Sequence, residues 1–287
     1  MTSTTGLPGL NQDFIAPAGL RAFTGGDGPP VVLVHGLAGA AANWVDVVEA
    51  LAARHRVVAL ELPGHGGSPP LGRPAGVAGF ADAVATAIEA VGAAPALVAG
   101  HSFGGQVAVR LAQRHPALVR ALLLVAPSGI ATRSRGARVA VLASTVVRPG
   151  ARVAPLAPRL ADRLWFRRTV FRPWYVADAS SVSGRATRGL FAELPAHTGL
   201  RGAARAMLDD DDPRTALRDV GAPALVLWGA RDGQLPLDDA FEYARRLGAP
   251  IRLVADCGHL LIAERPDAVL DAVEALEQAQ TRFSTSR

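Results

Sequence analysis

The sequence predicts an α/β fold: a mostly parallel, twisted sheet with helices on both faces and a helical cap insertion. Three observations predict it. Six short runs, VVLV at 31–34, VVAL at 57–60, ALVA at 96–99, ALLLV at 121–125, ALVLW at 224–228 and IRLVA at 251–255, are almost continuously apolar, as strands covered on both faces must be. Helical patterns lie between several of them. The alternation stops after Pro127 and resumes near Asp211, with scattered prolines, Trp165, Trp174 and no clear strand in between.

Taken in order, the first run leads into Trp44, Val47, Val48 and Leu51, which keep the i, i+3, i+4, i+7 rhythm of an amphipathic helix before the second run begins. The third run leads into a helix over Phe103 to Arg114, ended by His115-Pro116. After the fourth run comes the insertion, and the fifth and sixth runs close the sheet. The expected organisation is a core over 1–127, a cap over 128–210 and a second core segment over 211–287.

A chain of 287 residues, 49% of them apolar, has ample material for a large core, and its 19% charged residues argue against disorder. All 30 basic residues are arginine. Without lysine there is no Walker A loop, no pyridoxal-phosphate Schiff base and no lysine-activated aldolase. The stretch PGHGGSP at 63–69 is not a dinucleotide fingerprint, because Pro69 stands where the last glycine belongs. No nucleic-acid, metal or cofactor site is expected. One cysteine, Cys257, forms no intrachain disulfide and reads as a small buried hydrophobe. MTSTTGLPGLNQDF does not resemble a secretory signal, so a cytoplasmic location is expected. VAVLASTVV at 139–147, the longest apolar stretch, is short for the roughly 20 residues that span a bilayer, so no membrane span is expected.

The chemistry is carried by Gly100-His101-Ser102-Phe103-Gly104, a GxSxG pattern set between a strand run and a helix. In a chain with 30 glycines the pattern alone is weak, and the context supports it. A tight strand-to-helix elbow exposes the serine, needs Gly100 and Gly104 for clearance, and points the Phe103 N–H at developing negative charge. A second donor is expected from His35-Gly36-Leu37-Ala38-Gly39, with Leu37 N–H the choice.

A serine hydroxyl needs a histidine base oriented by a carboxylate. Of seven histidines, His259 follows the last strand run; His55, His65 and His115 read as surface residues, His197 as solvent-facing in the cap, and His35 and His101 as neighbours of the elbow. Asp232, four residues beyond Trp228, is the expected acid. Asp238 and Asp239 read as helix-start charges, Asp256 is too close in sequence to His259, and the Asp209–Asp212 run reads as a solvated loop rather than a cation site.

VVLVHGLAG, ELPGHGGS, GHSFGG, WGARD followed by Pro236, and GHLLIAERPD together resemble, in order, the signatures of the α/β-hydrolase superfamily. The resemblance covers nearly the whole chain apart from the cap. It implies the α/β-hydrolase fold, Ser102 as nucleophile, His259 as base, Asp232 as acid, and Leu37 and Phe103 as oxyanion-hole donors. It implies hydrolysis of a carboxylic ester through an acyl-enzyme. A carbon–carbon bond hydrolase of ring-cleavage diketones, a thioesterase or a lactonase stay open, although Leu260-Leu261 stands where an aromatic is expected in the first of these. A slow-turnover ligand-binding receptor on the same fold is the non-enzymatic alternative.

The insertion carries 14 arginines against five acids, a net charge of +9, which leaves −4 for the rest. In a lysine-free chain many such arginines are ordinary solvated surface. Arg167, Arg168 and Arg172 beside Trp165 and Trp174 nonetheless suit an anionic, partly apolar acyl substrate. Oligomeric state and acyl length are not legible here.

Overall fold

The structure, a computed structural model, describes residues 6–72, 75–171 and 173–284, so Arg172 lies outside the described residues. Eight strands form one sheet: β1 (Asn11–Ile15), β2 (Leu20–Gly25), β3 (Pro30–Val34), β4 (Arg56–Leu60), β5 (Ala96–His101), β6 (Val119–Val125), β7 (Ala224–Gly229) and β8 (Ile251–Val254). Their spatial order is β1-β2-β4-β3-β5-β6-β7-β8. The six apolar runs are the six parallel strands β3 to β8, and β2 is antiparallel to both β1 and β4.

Three helices follow in the first half: α1 (Val48–Ala52), α2 (Val77–Ala90) and α3 (Phe103–Arg114). Trp44, Val47, Val48 and Leu51 are all buried, but a 3₁₀ turn over Ala41–Trp44 precedes the short α1, so the expected single helix is broken in two. Between β6 and β7 lie α4 (Arg135–Val147), α5 (Pro149–Val153), α6 (Ala157–Leu160), α7 (Leu164–Val170), α8 (Gly184–Ala192) and α9 (Leu200–Asp209). The chain ends with α10 (Leu237–Leu247), α11 (Leu261–Glu264) and α12 (Pro266–Ser284).

Successive residues of the inner strands feed two cores. Val32, Val34, Val58, Leu60 and Leu122 pack with α2, α3 and α10 on one face, while Val31, Leu33, Val57, Ala59 and Leu123 pack with α1 and α12 on the other. This explains why these strands read as unbroken apolar runs. Truncating a fully buried side chain such as Leu33 to alanine would cost about 2–5 kcal/mol. The last run departs from this rule: β8 is an edge strand, and Arg252 and Leu253 on it are exposed.

The order of strands sets the position of the site. From β3 the chain moves outward to β4, then crosses back to lay β5 on the other side of β3. The C-terminal ends of β3 and β5 therefore flank the point where the winding reverses, where an open α/β sheet leaves a crevice. The helical segment between β6 and β7 is tied down beside it. Arg21 on β2 reaches Glu61 at 2.5 Å and Glu193, between α8 and α9, at 2.8 Å, all three buried. Removing one partner from such a buried group typically costs about 3–5 kcal/mol. The acids at 209–212 are also more structured than a solvated loop: Asp210 pairs with Arg110 at 3.0 Å and Asp209 with Arg138 at 2.5 Å.

Candidate active site

Strand β5 ends at His101 and α3 begins at Phe103, so the whole turn between them is Ser102. Its backbone is held at φ 52°, ψ −117°, a region that L-residues avoid at a cost of about 1–3 kcal/mol. Surrounding hydrogen bonds over-determine it. Ser102 N–H donates to Val125 O at 2.9 Å, and Ser102 O accepts from the N–H groups of Gly105, Gln106 and Ser128 at 2.9, 3.2 and 3.0 Å. The flanking glycines are steric necessities: a Cβ on Gly100 would meet Gly104 O at 2.4 Å, and one on Gly104 would meet Val34 O at 2.3 Å.

Asp232 follows β7 and His259 follows β8, which brings both to the same edge of the sheet. His259 Nδ1 lies 2.8 Å from Asp232 Oδ2, and both side chains are almost fully buried. The other carboxylate oxygen accepts from Gln234 N–H at 2.8 Å and Leu235 N–H at 2.9 Å. A carboxylate fixed this way acts as acceptor to Nδ1–H, which leaves Nε2 of His259 free to accept a proton. Ser102 and His259 both border one cavity. Among the described residues no hydrogen bond joins the serine hydroxyl to the imidazole. Asp256 points away: it is 84% exposed and 3.8 Å from Arg231.

The loop after β3 packs against the elbow so closely that a Cβ on Gly36 would lie 3.1 Å from Ser102 Cβ. Ala38 N–H in this loop is engaged by His65 Nε2 at 3.2 Å, so Leu37 N–H is the candidate donor that remains. Three expectations are overturned here. His65 and His197 are not surface groups but are buried, as is His55. His35, His65 and His197 form a file with ring centroids 5.0 and 5.3 Å apart. Each ring donates from one nitrogen and accepts with the other: His35 takes Leu62 N–H and gives to Gly36 O, His65 takes Ala38 N–H and gives to Pro63 O, and His197 takes Gly66 N–H and gives to Ala38 O. They were invisible as a set because His65 and His197 reach the loop from segments distant in sequence. Burial depresses His35 to about 3 and His197 to about 4, so the file is neutral and serves as a strut for the loop.

Three further groups were missed. His101 Nε2 donates to the His259 carbonyl at 2.9 Å, and burial holds its pKa down at about 3. The Glu264 carboxylate accepts from Gly258 N–H at 2.9 Å, Ala177 N–H at 2.8 Å and Asp178 N–H at 3.1 Å, stapling the histidine loop to the segment between α7 and α8. Burial pushes that carboxyl above its usual range. Leu260 N–H donates to Tyr175 O at 3.0 Å, and the Tyr175 ring lies 5.9 Å from the His259 ring. The buried acid in HLLIAERPD was the one legible signal among these. Cys257 is buried, and desolvation raises its thiol.

The cavity has a volume of about 850 Å³ and runs from Ser102 and His259 up among the helices between β6 and β7, where Val141, Phe171, Phe191 and Met207 line it. Arg148 is the single arginine on its wall among the described residues, and no carboxylate lines it. Arg167 is half-buried and Arg168 exposed, and neither borders the cavity, whereas Trp174 does. Among the described residues, no cluster of three His, Cys, Asp or Glu side chains is placed to hold a metal ion.

Comparison with known proteins agrees with the fold. A family model described as the alpha/beta hydrolase fold matches residues 29–266. A pimeloyl-[acyl-carrier protein] methyl ester esterase of Chromobacterium violaceum is 34% identical over 218 residues, 74% of this chain and 79% of the relative. A dihydrolipoyllysine-residue acetyltransferase component of the acetoin cleaving system of Pseudomonas putida is 30% identical over 250 residues, 85% of this chain. The chain spans only 62% of that relative's length. Among solved structures, a membrane phospholipase A described as a bacterial virulence factor superposes with a TM-score of 0.75 at 25% identity, over 95% of this chain and 87% of that one.

Proposed function

The chain belongs to the α/β-hydrolase fold family, and on that premise we propose that it is a serine hydrolase that cleaves a carboxylic ester through an acyl-enzyme. The observation that carries the reading is the 2.8 Å contact between His259 Nδ1 and a fully engaged Asp232, at the floor of the cavity that Ser102 also borders. A relative described as a methyl ester esterase supports the choice of an ester.

In this reading Ser102 Oγ attacks the ester carbonyl carbon and His259 Nε2 takes its proton. The C–O bond to the alcohol then breaks as the imidazolium returns that proton to the leaving oxygen. Water, deprotonated by the same nitrogen, attacks the acyl-serine and releases the acid. Asp232 holds the productive tautomer and stabilises the imidazolium. The N–H groups of Leu37 and Phe103 receive the developing oxyanion, the second of them reinforced by the start of α3. The serine–imidazole hydrogen bond forms when substrate is bound.

The cavity volume lies in the upper part of the range for small-molecule sites, and its mostly apolar wall suits a medium or long acyl chain. Arg148 gives that wall a single fixed positive charge, which favours an acyl chain bearing a carboxylate or phosphate. The test is covalent labelling with a fluorophosphonate, followed by peptide mapping and burst kinetics on a panel of esters, thioesters and lactones. Label on Ser102 with multiple turnovers on esters is expected. Label elsewhere overturns the nucleophile, and a single burst without turnover turns the reading into that of a receptor.

A further inference from the structure

The cap holds an anomaly that catalysis does not use. The helical run Arg135–Leu160, 26 residues, is long and apolar enough by length and composition to cross a membrane, yet almost none of it is buried. On α4, Val139, Val146 and Val147 are 69%, 71% and 50% exposed, and Ala143 is exposed between them. The spacing i, i+4, i+7, i+8 makes them one stripe on one side of the helix. The other side faces inward: Val141, Thr145 and Arg148 line the cavity and α4 packs on α9. Leu156, farther along the run, is half exposed, as is Trp165 on α7.

The charge lies in the same place. Residues 128–177 contain ten arginines and one acid, Asp162, whereas in 178–210 four arginines face four acids. The whole cap excess of +9 therefore belongs to the segment that exposes its apolar side chains. Asp162 is itself taken by Arg188 at 2.7 Å. Arg135, Arg152 and Arg159 are exposed and have no acidic partner among the described residues.

We infer that the outer face of the Arg135–Leu160 run docks on the surface of an anionic phospholipid bilayer. Valines enter the headgroup–acyl boundary while the arginines meet lipid phosphates, the composition of an interfacial helix. The run lies on the bilayer and does not span it, because its inner side is the roof of the cavity and it turns at Arg148, where φ is 44°. A second copy of the chain is a poor occupant, since it would set +9 against +9. An acidic protein would answer the arginines but leave the valine stripe without an apolar counterpart. Docking would put the roof of the cavity against the phase that holds long acyl chains.

The test is co-sedimentation of the full chain, carrying Ser102→Ala so that turnover plays no part, with vesicles of equal parts phosphatidylglycerol and phosphatidylcholine or of phosphatidylcholine alone. Binding at least about tenfold tighter to the anionic vesicles is expected, weakening with salt. Val139→Asp with Val146→Asp should reduce it at least about tenfold, and Arg135→Gln, Arg152→Gln or Arg159→Gln about fivefold each, with thermal unfolding unchanged. Equal binding to both vesicle types, no effect of the valine changes, capture by an acidic carrier protein without vesicle binding, or a dimer dissolved by Val139→Asp would each overturn the inference.

Discussion

His259 is held on its Nδ1 side by Asp232 Oδ2 at 2.8 Å, and Asp232 has no freedom to turn because its other oxygen takes the N–H groups of Gln234 and Leu235. Asp232→Asn has a definite consequence. The two N–H donors demand the amide oxygen, which forces the NH₂ toward His259 and the imidazole proton onto Nε2, the wrong tautomer for a base. A loss of about 10³–10⁴ in kcat is expected with folding retained. Asp256→Asn, on an exposed side chain, should leave ester turnover within about twofold; the reverse pattern in steady-state assays would show that the acid is misassigned.

The backbone of Ser102 makes a second prediction about stability rather than rate. At φ 52°, ψ −117° a Cβ is strained and glycine is not. Ser102→Gly should therefore unfold at higher temperature than Ser102→Ala, with a difference of about 1 kcal/mol, while neither variant takes up fluorophosphonate. Equal melting temperatures would remove the strain argument for the elbow.

The elbow and the inner sheet were legible because their causes are local. Gly100 and Gly104 stand where backbone passes within about van der Waals distance of backbone, and the runs inside β3 to β7 are almost continuously apolar because both faces are covered. The antiparallel edge was not: Asn11-Gln12-Asp13-Phe14 is exposed on β1 and has no alternation to read, whereas β8, at the other edge, was legible as a run although Arg252 and Leu253 on it are exposed. The burial of His65 and His197 depends on Ala38 and Gly66, groups far away in the chain, and no pattern around either histidine encodes that. In α4 the apolar stretch at 139–147 was visible, but Val139, Val146 and Val147 on it face outward, the opposite of the rule that makes such patterns useful.

The neutral histidine file sets a pH dependence. Burial holds His197 at about 4 against 6.5 in a model peptide. As pH falls, the unfolded chain takes up the proton first, so the stability present above pH 6.5 is lost progressively toward pH 4. His35 and His101, held down at about 3, act in the same direction. Asp239, which burial raises to about 6, acts in the opposite sense over the upper carboxylate range. The contribution of His197 is isolated by His197→Gln, whose amide can still accept from Gly66 N–H and donate to Ala38 O. Denaturant titrations at pH 7 and pH 4.5 should show the variant losing less stability than the parent, by up to about 3 kcal/mol. Identical losses would mean that His197 is not neutral in the folded chain.

Glu264 makes the fourth prediction. Its two oxygens accept three N–H groups, from Gly258, Ala177 and Asp178. In Glu264→Gln one of those sites becomes a donor facing a donor, at a cost of about 1–3 kcal/mol. Because Gly258 precedes His259, kcat should fall more than KM rises, and limited proteolysis should cut near Ala177 more readily. A variant with normal kcat and a lowered melting temperature would reduce Glu264 to a purely structural staple.

Arg148 decides whether the charge of the helical segment between β6 and β7 reaches the substrate. It lines the cavity at the end of α4, with one guanidinium nitrogen donating to Leu194 O, and no carboxylate on the cavity wall competes for the rest of the fork among the described residues. A carboxylate at the far end of an acyl chain would find a planar donor pair in a partly desolvated place, where such contacts are strong. The monomethyl ester of a dicarboxylic acid should then be preferred over its dimethyl ester. Arg148→Gln should cut kcat/KM for the monoester about 10–100-fold while leaving the diester within about threefold. If the preference came instead from the exposed arginines acting at long range, it would fade as added salt shortens the Debye length below about 8 Å, and Arg148→Gln would change little. A steady preference for the neutral diester, unmoved by salt and by Arg148→Gln, would assign every one of these arginines to the outer surface and leave the cavity an apolar acyl site.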